Sequence, residues 1–242
     1  MKKLIITCVL LALSVSSEAQ SWWNTKKVRG NGTMTTETRR TAAYEGISAG
    51  GSFDVLLVKG KEGNITIKGE ENLIPYIQTT VEKGVLKIEI KKGINLRITR
   101  KMLVTVPYQD IEKASISGSG DFTSNATIKA EKFTTKVTGS GSMKLDVDAG
   151  KINATLAGSG VITLSGTSQL LDCRIAGSGG INAYDLETKT TTAKVAGSGN
   201  IKTSVSDKIT AKVTGSGNIY YKGNPAKIDA KSTGSGAVID RN

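Results

Sequence analysis

Seven copies of one tripeptide carry the residues most able to do chemistry. Gly-Ser-Gly begins at residues 118, 139, 158, 177, 197, 215 and 234. Three residues before each first glycine stand Ser115, Lys136, Thr155, Arg174, Lys194, Lys212 and Lys231. Lys136, Arg174, Lys194, Lys212 and Lys231 are the candidate binding residues. If the repeats stack, these cations fall on one line at about 5 Å per step. A rigid basic line suits a linear polyanion: acidic polysaccharide, lipopolysaccharide phosphate or anionic lipid headgroups. The plainer account is a lysine-rich strand face that stays soluble and resists edge pairing. The central serines, Ser119, Ser140, Ser159, Ser178, Ser198, Ser216 and Ser235, would stack into a line of hydroxyls or simply serve the bend between two glycines. Asn200 and Asn218 follow two of the corners and point to a short amide ladder. Tyr220 and Tyr221 are the aromatic pair of the repeats. One of them either faces outward to stack on a sugar ring or packs at a coil edge.

Catalytic chemistry finds little support. The chain has no histidine, which removes imidazole triads, His metal sites and His acid–base steps. Cys173 stands in a column otherwise filled mainly by alanine and reads as a small buried thiol. Asp146 and Asp148 share one strand face, but two carboxylates do not make a calcium site. No G-x-G-x-x-G or phosphate-loop pattern occurs. No cofactor, metal ligand or catalytic residue is therefore assigned. The rival reading is a polysaccharide-processing lyase or hydrolase, because long β-helices host such chemistry. It would need a cleft in the irregular segment 59–113, with Glu70, Glu71 or Glu112 as the acids.

The elements that must carry these columns follow from the spacing. The intervals average about 19 residues, and a fixed period of that size marks a solenoid with one coil per repeat. Two residues before the first glycine, in the first six repeats, stand Ile116, Val137, Leu156, Ile175, Val195 and Val213. Four residues before it stand Ala114, Thr135, Ala154, Cys173, Ala193, Ala211 and Ala230, and four after it Phe122, Met143, Ile162, Ile181, Ile201, Ile219 and Val238. Positions two apart share a strand face, so these columns point inward and the basic column points out. One coil buries too little to fold alone, so coils must stack in parallel. The expected fold is all-β: a parallel β-helix, or β-solenoid, with right-handed winding. A propeller blade would need about 40 residues, and a meander of hairpins would not stack identical corners.

The remaining segments divide as follows. Residues 1–19 read as a signal peptide: Lys2 and Lys3, an apolar run from Leu4 to Leu13, and a Ser17-Glu18-Ala19 cleavage site. Residues 20–42 are basic and aperiodic and read as a flexible arm, with Trp22 and Trp23 near its start. Residues 43–113 alternate apolar and polar residues in short runs and form a less regular β-rich half. Only Leu73 to Tyr76 fits a helical turn, and Glu82-Lys83-Gly84 fits a tight turn between strands. Residues 114–242 form the regular solenoid. The net charge is +12, and no further segment is long and apolar enough to span a bilayer.

The AGSGGI, AGSGNI and TGSGNI runs, with the GISAGGSFDV entry segment, resemble the putative auto-transporter adhesin, head GIN domain family, secreted proteins typical of Bacteroidetes. The resemblance covers roughly residues 43–240 and implies a β-helical domain exported to the envelope. It brings no catalytic residues with it. An auto-transporter also needs a C-terminal membrane barrel, which Ile239–Asn242 after the last repeat do not supply, so self-translocation is not expected. The expected function is a non-catalytic envelope module for adhesion, binding or scaffolding, placed in the periplasm, on the outer surface or outside the cell. Its expected partners are acidic polysaccharide, lipopolysaccharide or another envelope protein, and not nucleic acid.

Overall fold

The structure is a computed structural model that describes residues 25–242. The expected signal peptide and the Trp22–Trp23 pair lie outside the described residues. The chain runs through β1 (Lys26–Arg29), β2 (Met34–Arg40), β3 (Gly46–Gly51) and β4 (Asp54–Lys59). It then builds β5 (Asn64–Glu70), β6 (Ile77–Glu82), β7 (Val85–Ile90), β8 (Ile94–Arg97) and β9 (Leu103–Tyr108). The repeats supply β10 (Lys113–Gly118), β11 (Asp121–Ser124), β12 (Ile128–Gly139), β13 (Ser142–Gly158), β14 (Val161–Gly177), β15 (Gly180–Gly197), β16 (Asn200–Gly215), β17 (Asn218–Lys222), β18 (Lys227–Thr233) and β19 (Val238–Asp240). Among the described residues, one 3-10 turn, Ile74–Tyr76, falls inside the segment expected to turn helically.

The repeats form a parallel β-solenoid. Gly118, Gly139, Gly158, Gly177, Gly197 and Gly215 pair in one unbroken register from rung to rung. The inward columns are buried as their period of two requires, with every residue from Ile116 to Val213 at most 3% exposed. The last rung departs from that pattern. All seven residues of β18 are exposed, Ala230 among them, and Ile228 is 52% exposed. Among the described residues, no further rung stacks beyond β18 and β19.

Stacking also explains why the corners need glycine twice. Each first glycine has a positive φ, +126° at Gly118 and +124° at Gly158. A Cβ on Gly158 would lie 2.3 Å from the Gly139 carbonyl oxygen, and one on Gly160 would lie 2.2 Å from that of Gly141. The space is taken because the carbonyls of Gly118, Gly139, Gly158, Gly177 and Gly197 each accept two N–H groups from the next corner. The Gly139 oxygen, for example, accepts from Ser159 at 2.9 Å and from Gly160 at 3.0 Å. Successive backbones are therefore bonded face to face at the bend.

The N-terminal half joins the same stack, but out of sequence order. β3 pairs in parallel with β10 on one side and β7 on the other, and β4 pairs likewise with β11 and β9. Gly118 is in register with Gly51, so Gly51-Ser52-Phe53 is an eighth corner with phenylalanine where the others have glycine. A Cβ on Gly120 would meet the Phe53 carbonyl at 1.9 Å. A side chain at the third corner position thus points toward the preceding corner, and the first corner in the stack has none beneath it. Phe53 fills that space and is 1% exposed.

Lys26–Arg29 and Met34–Arg40, read above as part of a flexible arm, are strands. β2 pairs antiparallel with β5 over seven residues, and β1 pairs in parallel with β8. Two side chains anchor them. Arg39 donates to the Ile74 and Ile77 carbonyls and pairs with Glu37. The buried Glu70 carboxylate accepts from Gly32 N at 2.8 Å, Thr99 N at 2.8 Å, Thr99 Oγ1 at 2.6 Å and Arg100 N at 3.2 Å. Aperiodic polar sequence reads as disorder unless a distant residue meets its backbone groups, and Glu70 does so.

Candidate functional site

The basic column occupies one line in register on the outside of the strands that precede the corners. Ser115, Lys136, Thr155, Arg174, Lys194, Lys212 and Lys231 pair in direct succession. All five cations are exposed. The line runs unbroken at its C-terminal end, where Arg174, Lys194, Lys212 and Lys231 fill four consecutive rungs, and Thr155 interrupts it below. Arg174 is partly neutralised by Asp172, which accepts its Nε at 3.0 Å and its Nη2 at 2.8 Å.

A second column runs beside the first, four residues earlier in each rung. Lys132, Lys151, Leu170, Thr190, Lys208 and Lys227 are also in successive register. The two columns lie about 13 Å apart along the strands. Together they place nine cations over six rungs, against the two carboxylates of Asp172 and Asp229 between them. This second column was missed in the sequence reading. Its signal was present, since lysine recurs seven residues before four of the first glycines.

The other residues singled out above are scattered. Every corner serine is exposed along the outer bend. Asn218 donates from its side chain and its backbone N–H to the Asn200 side-chain oxygen, at 3.4 Å and 2.9 Å, which forms the expected amide ladder. Tyr221 is buried in the core, in register with buried Thr203, while Tyr220 faces outward beside Arg241. Cys173 is buried, and burial, with the Asp172 charge adding to it, pushes its thiol well above the ordinary range. Such a thiol is not ionised at neutral pH. Asp146 and Asp148 accept from Ser165 at 2.9 Å and Thr167 at 2.6 Å in the next rung.

Glu70, Glu71 and Glu112 do not converge on one cavity. Glu70 is spent on backbone donors; burial opposes its ionisation, but hydrogen bonds from Thr99, Gly32 and Arg100 outweigh that and bring the carboxyl down to about 2. Glu71 accepts from the Asn31 side chain at 2.9 Å on the surface, and Glu112 is exposed. The irregular half does hold an open cleft of about 530 Å³, lined by Tyr44, Glu45, Glu62, Lys83, Gln109 and Asp110 among others. Its Glu62 carboxylate accepts the backbone N–H groups of Tyr44 and Gln109, at 3.1 Å and 3.2 Å. Among the described residues, no helix is long and apolar enough to cross a membrane.

A stack of parallel rungs with one strongly basic wall defines the class: a parallel β-solenoid that offers extended surfaces built by repetition. The chain belongs to the family described as "Putative auto-transporter adhesin, head GIN domain", whose match spans residues 43–225. Crystal structures of relatives share the architecture. A putative adhesin from Bacteroides fragilis superposes with a TM-score of 0.84 at 24% identity, covering 88% of this chain and 100% of that one. A putative lipid binding protein from Parabacteroides distasonis gives 0.75 at 27% identity, covering 90% and 100%. A putative adhesin from Parabacteroides merdae gives 0.70 at 24% identity, covering 90% and 100%. No curated protein matches the chain.

Proposed function

We propose that the protein is an exported, non-catalytic binding module of the cell envelope, which holds anionic polymers along its basic wall. The observation that carries this reading is the register of Lys136, Arg174, Lys194, Lys212 and Lys231 on one exposed line, with a parallel lysine column beside it. Like charges this close repel by about 1 kcal/mol or less per exposed pair, which a stacked fold tolerates. A polyanion laid along the wall relieves the repulsion at every rung. Acidic polysaccharide and lipopolysaccharide phosphate have the required linear charge. Anionic lipid headgroups offer the same phosphate chemistry, in keeping with the lipid-binding name of the Parabacteroides distasonis relative. The adhesin names of the other relatives agree with a surface or exported setting.

The test replaces Arg174, Lys194 and Lys212 together with glutamine in the full chain. Binding to polygalacturonate should weaken roughly tenfold at low salt, and wild-type binding should fall steeply as salt rises. The melting temperature should stay within a few degrees, because exposed charges contribute little to stability. Unchanged affinity in the triple variant would leave the wall with a solubility role only. The rival enzyme would have to work in the cleft at Glu62. Glycan turnover that vanishes in Glu62→Gln would favour it over the binding module.

A further inference from the structure

A second, smaller site lies on the strands that follow the corners, separate from the basic wall. The coil from Gly177 to Gly197 is the longest of the last four intervals and the next is the shortest. The mismatch appears as a break in pairing. Between β15 and β16 the register jumps from Ala183 opposite Thr203 to Glu187 opposite Ser204. The extra residues form a bulge, and bulges re-aim side chains. Here Tyr184 is turned outward, toward the next two rungs. Lys202 Nζ lies 5.9 Å and Lys222 Nζ 5.1 Å from the centre of its ring. Tyr220 is in register with Lys202, and the Arg241 guanidinium lies 5.1 Å from the centre of the Tyr220 ring. Tyr184, Asn200, Lys202, Tyr220 and Arg241 line an open cleft of about 540 Å³, within the range of small-ligand sites.

The charge in this cleft is unbalanced. Among the described residues, Lys202, Lys222 and Arg241 form no ion pair, whereas Arg39, Lys59, Lys87, Lys101 and Arg174 each have a carboxylate partner. The tyrosines supply what the basic wall lacks: flat apolar rings edged with hydroxyls, beside the Asn200 amide. Several unpaired cations around one cleft act together on an anion, and the tyrosine rings beside them offer apolar surface.

We propose that this cleft binds a short acidic saccharide, with its carboxylate or sulfate on Arg241, Lys202 and Lys222 and its ring against Tyr184 and Tyr220. The site differs from the basic wall in residues, in position and in ligand length, since a trimer is too short to follow six rungs. The test is calorimetric titration of the full chain with galacturonate trimer, galactose trimer and inorganic phosphate. Wild type should bind the galacturonate trimer at least about tenfold more tightly than either of the others, since only that ligand has both ring and charge. Tyr220→Ala and Arg241→Gln should each weaken it about tenfold, and Tyr220→Phe should keep most of the affinity. Arg241 is exposed, so its substitution tests the site even if Tyr220→Ala disturbs the fold. The Arg174, Lys194 and Lys212 triple glutamine variant should bind the trimer like wild type. Equal affinity for the galactose trimer or phosphate would overturn the proposal, as would loss of trimer binding in the triple variant with Arg241→Gln unaffected.

Discussion

The corner glycines leave no room for a methyl group. At Gly158 an added Cβ would lie 2.3 Å from a backbone oxygen that already accepts two hydrogen bonds, and φ is +124°. Gly158→Ala should therefore destabilise by roughly 3 kcal/mol or more, combining a disfavoured backbone with a clash that only rung separation relieves. The adjacent Ser159 is exposed, and Ser159→Ala should stay within about 0.5 kcal/mol of wild type. Urea melts of the two variants compare the close-approach account with one in which the whole tripeptide matters equally. Glu70 gives a residue-scale prediction of another kind. Its carboxyl is held at about 2, below the ordinary 4.5. The folded state thus prefers the ionised form, and the stabilisation is complete above pH 4.5 and fades as pH falls toward 2. Glu70→Gln should cost roughly 2 kcal/mol at neutral pH by leaving buried N–H groups poorly matched. The variant should also lose that part of the acid sensitivity, as thermal melts between pH 2 and 6 would show.

The element that most repays attention is the rung. Each long repeat strand pairs with the next along nearly its whole length, so a rung's neighbours, more than its own sequence, determine its stability. Removing residues 177–196 would join Ala176 to Gly197 and place the Gly197 corner directly on Gly158, with the inward columns still aligned. The shortened chain should melt cooperatively and keep its β circular-dichroism signature. A collapsed or aggregated product would show that the Tyr184 bulge, lost in the same deletion, is needed for stacking. The antiparallel strands behave differently. β2 covers β5 and is held by Arg39 and by Glu70 through Gly32. It closes the start of the molecule by long-range contacts instead of repetition.

At the scale of the whole molecule, the two ends of the stack are unlike. The β7 and β9 rung is covered by antiparallel partners, β6 on β7 and β5 on β9. At the other end β18 is exposed along its length. Its Lys227, Asp229 and Lys231 place charge on the open edge, a common device against unwanted strand addition. The same repetition that makes a rung generates the basic wall, because one outward position per period becomes a line of charge. The Tyr184 cleft arises in the opposite way, where the period falters.

Much of this was legible in the sequence because the relevant information is local. Alternation two residues apart, phased on Gly-Ser-Gly, determined which side chains of the repeats are inside, where the corners fall and that the basic residues share one outer line. A stacked repeat leaves no freedom in those choices, since each rung copies the one before. Three features were decided only by the tertiary structure. β3 lies against β10 across a gap of 67 residues and carries the corner at which Phe53 replaces glycine. The basic strands at 26–40 are ordered through Glu70 and Arg39, each reaching residues about 30 or more positions away. Tyr184 meets Lys202 and Lys222 only because a bulge shifts one rung against the next. Each depends on contacts between distant positions, and no period in the sequence records such contacts.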